Sequence, residues 1–347
     1  MARKNGRPKL KPVKDQVIVI TGASSGIGLA TARMAAERGA QVVLAARNEA
    51  DLQSVAEEIR ANGGRAVAVA ADVSREDDVD RVGEAAMREF GGIDTWVNNA
   101  GLSIYGKLTD VPMEDKRRLF DVNFWGVVNG CRTAVRFMKH RGGALINVGS
   151  EVSDRAIPLQ GIYSASKAAV KGYTDALRME LEHDRMPISV TLVKPSAINT
   201  PYPEHARSYL EDGAPALPPP MYQPEVVARA ILTCAEKPVR DVVVGGAGRA
   251  QILMGAIAPR LTDRLMEGPM WKQQKRYDMH HAPAGNLEQP QRDGRAHGVG
   301  RGRVMQSSAY TSAVLSDVTR LLPIAAGAIA IAASYRKWRP ERPAVQR

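Results

Sequence analysis

"QVIVITGASSGIG", Gln16 to Gly28, joins a short apolar run to a glycine-rich turn, and a helical pattern over Gly28–Arg38 follows at once. A strand that feeds such a turn and then a helix points backbone N–H groups at the helix N-terminus, where an anion is held. Glycines at 22, 26 and 28 let the backbone turn tightly and approach a pyrophosphate. Alone, the pattern is as good a structural turn as a nucleotide site; the strand before it and the helix after it select the nucleotide reading. A P-loop is excluded because no Gly-Lys-Ser/Thr follows.

Outward from this stretch the same alternation continues. Apolar runs at 16–21, 41–46, 66–71, 93–99, 144–150, 188–195 and 241–246 are separated by helical periodicities at 49–61, 76–90, 116–139 and 164–182. Near-continuous Val, Ile and Ala content suits strands covered on both faces. The expected fold class is therefore α/β, a Rossmann-type doubly wound parallel sheet of about seven strands with right-handed crossovers. In that architecture ligands lie beyond the carboxyl ends of the strands. Residues 199–224, "NTPYPEHARSYLEDGAPALPPPMYQP", interrupt the alternation at such an end, and read either as a surface loop or, favoured by position, as a lid.

The net charge of +11 is concentrated in two tails. Residues 1–14 carry six Lys or Arg and no acid, and residues 297–347 carry eight against Asp317 and Glu341, which leaves the middle near neutrality. Such a core does not read as a nucleic-acid-binding domain. Cys131 and Cys234 stand in no metal-spaced cluster, and no signal-peptide-like apolar stretch precedes the glycine-rich turn. A reduced, cytoplasmic setting is expected.

Three parts are expected: a basic tail at 1–14, a dinucleotide-binding catalytic domain at 15–250, and an extension at 251–347. Within the extension, a helical stretch near 250–266 can pack on the core, and 272–306 is polar, turn-rich and expected to be poorly ordered. The apolar segment Leu321–Ser334 spans roughly 21 Å as a helix, short of a hydrocarbon core of about 30 Å. A peripheral membrane contact, a partner-binding or core-packing helix, and a loose tail stay open for it.

At the end of the second strand, "LAARNE" offers Arg47 and no acid. An acid there holds ribose hydroxyls, whereas an arginine accommodates a 2′-phosphate, so NADP is preferred, with NAD and a merely solvated Arg47 as the other readings. In "GIYSASKAAVKG", Tyr163 and Lys167 share a helix face one turn apart.

Together "TGASSGIG", "NNAG" at 98–101, "VNFWG" at 122–126, Ser150 and "YSASK" resemble the short-chain dehydrogenase/reductase family, over about residues 15–246. Ser150 stands thirteen residues before Tyr163, and Asn123 twenty-seven before Ser150. The resemblance implies a tetrad of Asn123, Ser150, Tyr163 and Lys167. It also implies cofactor contacts from Thr21, Gly22, Ser24, Ser25, Gly26, Ile27, Gly28 and Arg47, from Asp72 and Val73 at the adenine, and from Asn99, Ala100 and Gly101. Tyr163, Lys167, Pro195, Ile198 and Thr200 complete that set, and Asn98 belongs to a motif that steadies the sheet. Ser196 departs from the pattern, standing where glycine is usual. No metal site is implied, and homodimers or homotetramers formed through the helices of Asn123 and Lys167 are common in the family.

The chemistry is intelligible from the residues. Hydride transfer to a carbonyl leaves an alkoxide, which a phenol can protonate. A tyrosine pKa of about 10 must fall for work near neutrality, at a cost of about 4 kcal/mol, and a lysine cation and an oxidised nicotinamide both act in that direction. Ser150 donates to the substrate oxygen as charge develops, and Asn123 holds a water that connects Lys167 to solvent. The function expected is NAD(P)-dependent interconversion of a secondary alcohol and a ketone or aldehyde. Leu210, Leu217, Pro218–Pro220, Met221 and Tyr222 in the lid, with Phe124 and Trp125 elsewhere, hint at an apolar substrate, and core packing explains the same residues as easily. The alternative is a catalytically silent nucleotide-binding sensor or scaffold; a sugar-nucleotide epimerase is disfavoured by the TGxxxGxG spacing.

Overall fold

The computed structural model describes residues 8–279, 284–299 and 303–316. The apolar segment at 321–334 lies outside them, as does the start of the basic tail. Among the described residues no helix is long and apolar enough to cross a membrane.

Seven parallel strands form the central sheet: β1 (Val17–Thr21), β2 (Gln41–Ala46), β3 (Arg65–Ala70), β4 (Thr95–Asn98), β5 (Gly143–Val148), β6 (Ile188–Pro195) and β7 (Asp241–Val244). Their order is β7-β6-β5-β4-β1-β2-β3. The strand order reverses at β1, between β2 and β4, which opens a crevice at the carboxyl ends. Side chains alternate across the sheet. Ile18, Ile20, Val42 and Leu44 pack into one core with α1 (Gly26–Glu37), α2 (Glu49–Ala61) and α7 (Pro224–Glu236). Val17, Val19, Val43 and Ala45 pack into the other. That second core is completed by α3 (Glu76–Phe90), α4 (Met113–Phe120), α5 (Gly126–Met138) and α6 (Gly161–His183). Burial on both faces explains why these strands read as unbroken apolar runs. Each fully buried Val, Leu or Ile contributes about 1.5–3 kcal/mol, so the sheet is the stable part of the molecule.

The helix predicted at 116–139 is one helical path over residues 113–138 whose regular winding is broken once. Between α4 and α5 a π-type turn occupies Asp121–Trp125. The buried Asn123 accounts for the break: its Oδ1 accepts from the Leu102 N–H at 2.7 Å, and its Nδ2 donates to the Leu102 carbonyl at 3.0 Å and to Ser166 Oγ at 3.2 Å. The predicted stretch at 250–266 is likewise split, into α8 (Gly246–Ile257) and α9 (Pro259–Leu265), because Pro259 cannot donate to the preceding turn.

The 199–224 insertion is stitched down at three places. Arg207–Ser208 pairs with Ile104–Tyr105, Ala214–Pro215 with Lys275–Arg276, and Met221–Tyr222 with Val304–Met305. Two of these three partners come from the extension. The described part of 272–306, expected to be poorly ordered, is instead packed against the lid and the crevice, with backbone pairing as the cause.

Candidate active site

A cavity of about 260 Å3 runs along the carboxyl ends of the strands, from Arg47 and Asp72 to Tyr163 and Lys167. Its floor begins at the glycine-rich turn. Gly22 and Gly26 adopt left-handed φ values of +67° and +54°. A Cβ on Gly28 would stand 2.1 Å from the Gly22 carbonyl oxygen, so only glycine lets α1 start this close to the turn. The cradle is locked from behind. Thr21 Oγ1 accepts from the N–H groups of Asn99 and Ala100, and Asn99 Nδ2 donates to the carbonyls of Thr21 and Gly22. Gly22, Ser24, Ser25, Gly26, Ile27, Asn99, Ala100 and Gly101 face the cavity, whereas Thr21 and Gly28 lie behind its wall. Asn98 is buried in the sheet, donating to Asn147 Oδ1 at 2.9 Å and accepting from Trp96 Nε1 at 2.8 Å.

At the far end of the cavity, Arg118 brings a cation the sequence reading did not single out. It donates to Asp72 Oδ2 at 2.6 Å and to Ser74 Oγ at 2.8 Å. Burial pushes the Asp72 carboxyl up, but hydrogen bonds from Arg118 and Ser74 outweigh it and leave the group below its ordinary value. Val73 lines the cavity beside it. The Arg47 guanidinium donates to three backbone carbonyls of the extension, those of Asn286, Leu287 and Glu288. Burial pulls its pKa down, partly countered by Asp72.

Toward the other end, Ser150, Tyr163 and Lys167 are brought together by β5 and α6. Ser150 caps the turn after β5, its Oγ accepting from the Val152 N–H at 3.3 Å. Lys167 is buried, and its Nζ donates to the Val148 carbonyl at 2.8 Å and lies 5.8 Å from the Tyr163 ring centre. Burial pulls Lys167 down to about 8. The Tyr163 phenol is pushed above its ordinary value by burial, while the Tyr202 and Ser150 hydroxyls pull it back and the Glu151 carboxyl adds to the rise. The sequence reading expects a lowered phenol; here desolvation outweighs the neighbouring dipoles. Asn123 stands just behind, not on the cavity wall. Both Nδ2 protons are spent within the protein, and its side chain braces residue 102.

Pro195, Ile198 and Thr200 cross above the floor. Thr200 Cβ lies 3.3 Å from where a Cβ on Gly26 would stand, so the two close the middle of the cavity. Beyond them Tyr202 donates to Gln160 Oε1 at 2.9 Å, its ring centre 5.5 Å from that of Tyr163. The extension completes the roof. The Arg295 carbonyl accepts from the Gly26 N–H at 2.9 Å, and the Gly298 N–H reaches the Asn199 carbonyl at 3.2 Å. Asp293 pairs with His205 at 2.5 Å. Glu151, Arg118, Tyr202, His205 and the 286–298 segment were not singled out in sequence. Only Glu151 and Tyr202 carried a signal, by adjacency to Ser150 and Thr200. Among the described residues no cluster fit to hold a metal ion occurs.

The chain resembles known proteins over more than half of its length. It is 53% identical over 268 residues to the uncharacterized oxidoreductase YxnA of Bacillus subtilis, covering 77% of this chain and 75% of the relative. It is 41% identical over 190 residues to 11-beta-hydroxysteroid dehydrogenase A of Sesamum indicum, covering 54% of each. Among solved structures, a short-chain dehydrogenase/reductase of Burkholderia phymatum in complex with NAD matches with a TM-score of 0.64 and 27% identity, over 71% of this chain and 94% of the other. An alcohol dehydrogenase of Thermococcus sibiricus complexed with 5-hydroxy-NADP matches with a TM-score of 0.58 and 26% identity, over 66% and 95%. The family model for short chain dehydrogenase matches residues 16–210. With that match extending from β1 through the tetrad into the lid, the chain belongs to the short-chain dehydrogenase family of oxidoreductases.

Proposed function

We propose that this protein interconverts a secondary alcohol and a ketone or aldehyde with NADP(H), using Tyr163 as the acid and base. The observation that carries this reading is the meeting of the Tyr163 phenol, the Ser150 hydroxyl and the buried Lys167 at one end of a cleft whose other end holds Arg47 and Asp72. The cleft fits a dinucleotide: its glycine cradle is so close that a Cβ on Gly22 would stand 2.8 Å from Ala100 Cα. Ile27, behind the tight turn at Gly22, would hold the pyrophosphate, Asp72 and Val73 the adenine, and Lys167, Ile198 and Thr200 the nicotinamide end. A nicotinamide bound there supplies or accepts the hydride.

The chain's own residues do the rest. Ser150 donates a hydrogen bond to the substrate oxygen, a contact that strengthens as negative charge gathers there. Tyr163 passes its proton to that oxygen, and Lys167 supplies the positive charge that favours the phenolate left behind. Asn123 braces residue 102 beside Lys167. Arg47, with no acid at the end of β2, favours the 2′-phosphate of NADP over NAD. Val152, Ile157, Leu217 and Pro218 line the substrate end, so the body of the substrate is apolar. Trp125 and Met179, on the π-type turn and α6, are exposed apolar groups that suit a homodimer or homotetramer built on these helices. A cytoplasmic location accords with Cys131 and Cys234 being buried and not joined to each other.

The decisive experiment is Tyr163→Phe. NADPH oxidation against a panel of ketones and aldehydes is expected to fall at least about 1,000-fold, with NADPH affinity unchanged within about threefold. A parent protein that binds NADPH yet turns over nothing on the panel would instead support the silent-scaffold reading.

A further inference from the structure

Glu151 follows Ser150 directly in the turn after β5, and it opens on the same end of the cavity as Ser150 and Tyr163. A carboxyl is a costly group to place in a wall of Val152, Ile157, Leu217 and Pro218. Its place is nevertheless built. Ser196, just after β6, donates its hydroxyl to the Gly245 carbonyl at 3.4 Å and stands beside the carboxyl. On α8, Gly248 leaves the room: a Cβ there would stand 1.9 Å from Glu151 Oε2 and 2.3 Å from Ser196 Oγ. Two elements far apart in sequence thus fit around one side chain.

Nothing in the hydride chemistry uses this group, and among the described residues no lysine or arginine pairs with it. A carboxyl has about four acceptor positions, so one serine leaves acceptor capacity turned toward the cavity. Burial pushes Glu151 up to about 7, with the Ser196 contact opposing it. The ligand group it suits is a neutral hydroxyl. An ammonium would sit at the same cavity end as Lys167, which repels it.

We propose that Glu151 is a specificity residue that accepts a hydrogen bond from a hydroxyl next to the reacting carbon, so that the protein acts on hydroxy ketones with an apolar body and, in reverse, on the corresponding diols. In the forward step the carbonyl carbon gains the hydride, its oxygen gains the Tyr163 proton, and the neighbouring hydroxyl is unchanged. This inference rests on the hydride-transfer reading above.

The test compares benzoin with deoxybenzoin, which differ by that hydroxyl, under NADPH. The full-length protein is expected to favour benzoin in kcat/KM by about tenfold or more, and Glu151→Leu to abolish the preference while leaving deoxybenzoin within about threefold. Glu151→Gln, which keeps an acceptor and the shape, is expected to retain part of it. No preference in the parent, a preference for the amino analogue desylamine, or an equal fall for both ketones in Glu151→Leu overturns the assignment and leaves hydride transfer standing. If no carbonyl is reduced, hydride transfer fails, and calorimetry decides Glu151 separately. Tighter binding of hydrobenzoin than of bibenzyl, lost in Glu151→Leu, supports the assignment, whereas equal binding overturns it.

Discussion

The floor and the roof of the cleft are built in different ways. The floor, from the glycine-rich turn to Lys167, is backbone and short side chains anchored on buried strands, and its contacts tie one strand end to the next, as Thr21 and Asn99 do. The roof, made of the lid with residues 275–279, 284–299 and 303–305, is held by short strand pairs and single carbonyls. The difference shows where each kind of interaction is useful. A floor must place reacting atoms to within fractions of an ångström, which packed strands do. A roof must exclude water, which a seam of modest bonds achieves.

Lys167 offers the sharpest way to break the comparison. Its pKa falls from an ordinary value near 10.5 to about 8 in the folded chain, so the unfolded chain binds more protons between those values. Stability therefore carries the full penalty below about pH 8 and regains it as pH rises toward the unfolded value. Lys167→Met is expected to remove that penalty, raising stability by up to about 3 kcal/mol at neutral pH while abolishing turnover. Chemical denaturation checks the first part and NADPH oxidation the second; a less stable variant would contradict the account of Lys167 as a cost borne for function.

Arg47 belongs to both halves, since it directly follows β2 and holds three roof carbonyls. Arg47→Ser is expected to lower the NADPH-to-NADH preference by about tenfold or more, read by fluorescence titration of each. It is also expected to speed proteolytic cutting within 284–299. Faster cutting with an unchanged preference would make Arg47 a roof anchor alone.

The smallest effect is expected at Asp293. Burial pushes its carboxyl up, but the hydrogen bond from His205 and the charge of Arg295 leave it lowered. A depressed carboxylate contributes stability above its unfolded value, about 3.9, and that contribution is lost as pH falls through the folded value. Asp293→Asn is expected to cost less than about 1 kcal/mol near pH 7 and progressively less as pH falls below about 3.9, by thermal unfolding across that range.

How much of this was legible in the sequence follows the same division. The seven strands and their helices could be read because burial on both faces leaves unbroken runs such as Val17–Thr21. The meeting of Ser150, Tyr163 and Lys167 could be read because one strand end and one helix carry all three. The break at Asn123 could not, since periodicity does not report a side chain that bonds to a distant backbone. Nor could the order at 284–299. Its partners are main-chain carbonyls, which every residue type supplies, so polar composition looked like looseness. Arg118 was hidden for a related reason: it looks like one more helix-surface charge until the fold brings it to Asp72.

The pairing of Met221–Tyr222 with Val304–Met305 has a consequence for how the protein is made. Domains fold largely as the chain emerges, and β1 through β7 are complete by Val244. The lid, by contrast, waits for partners some eighty residues downstream of it. Each newly synthesised molecule therefore passes through an interval in which a finished cradle stands under an unfinished cover, open to whatever nucleotide the surroundings supply.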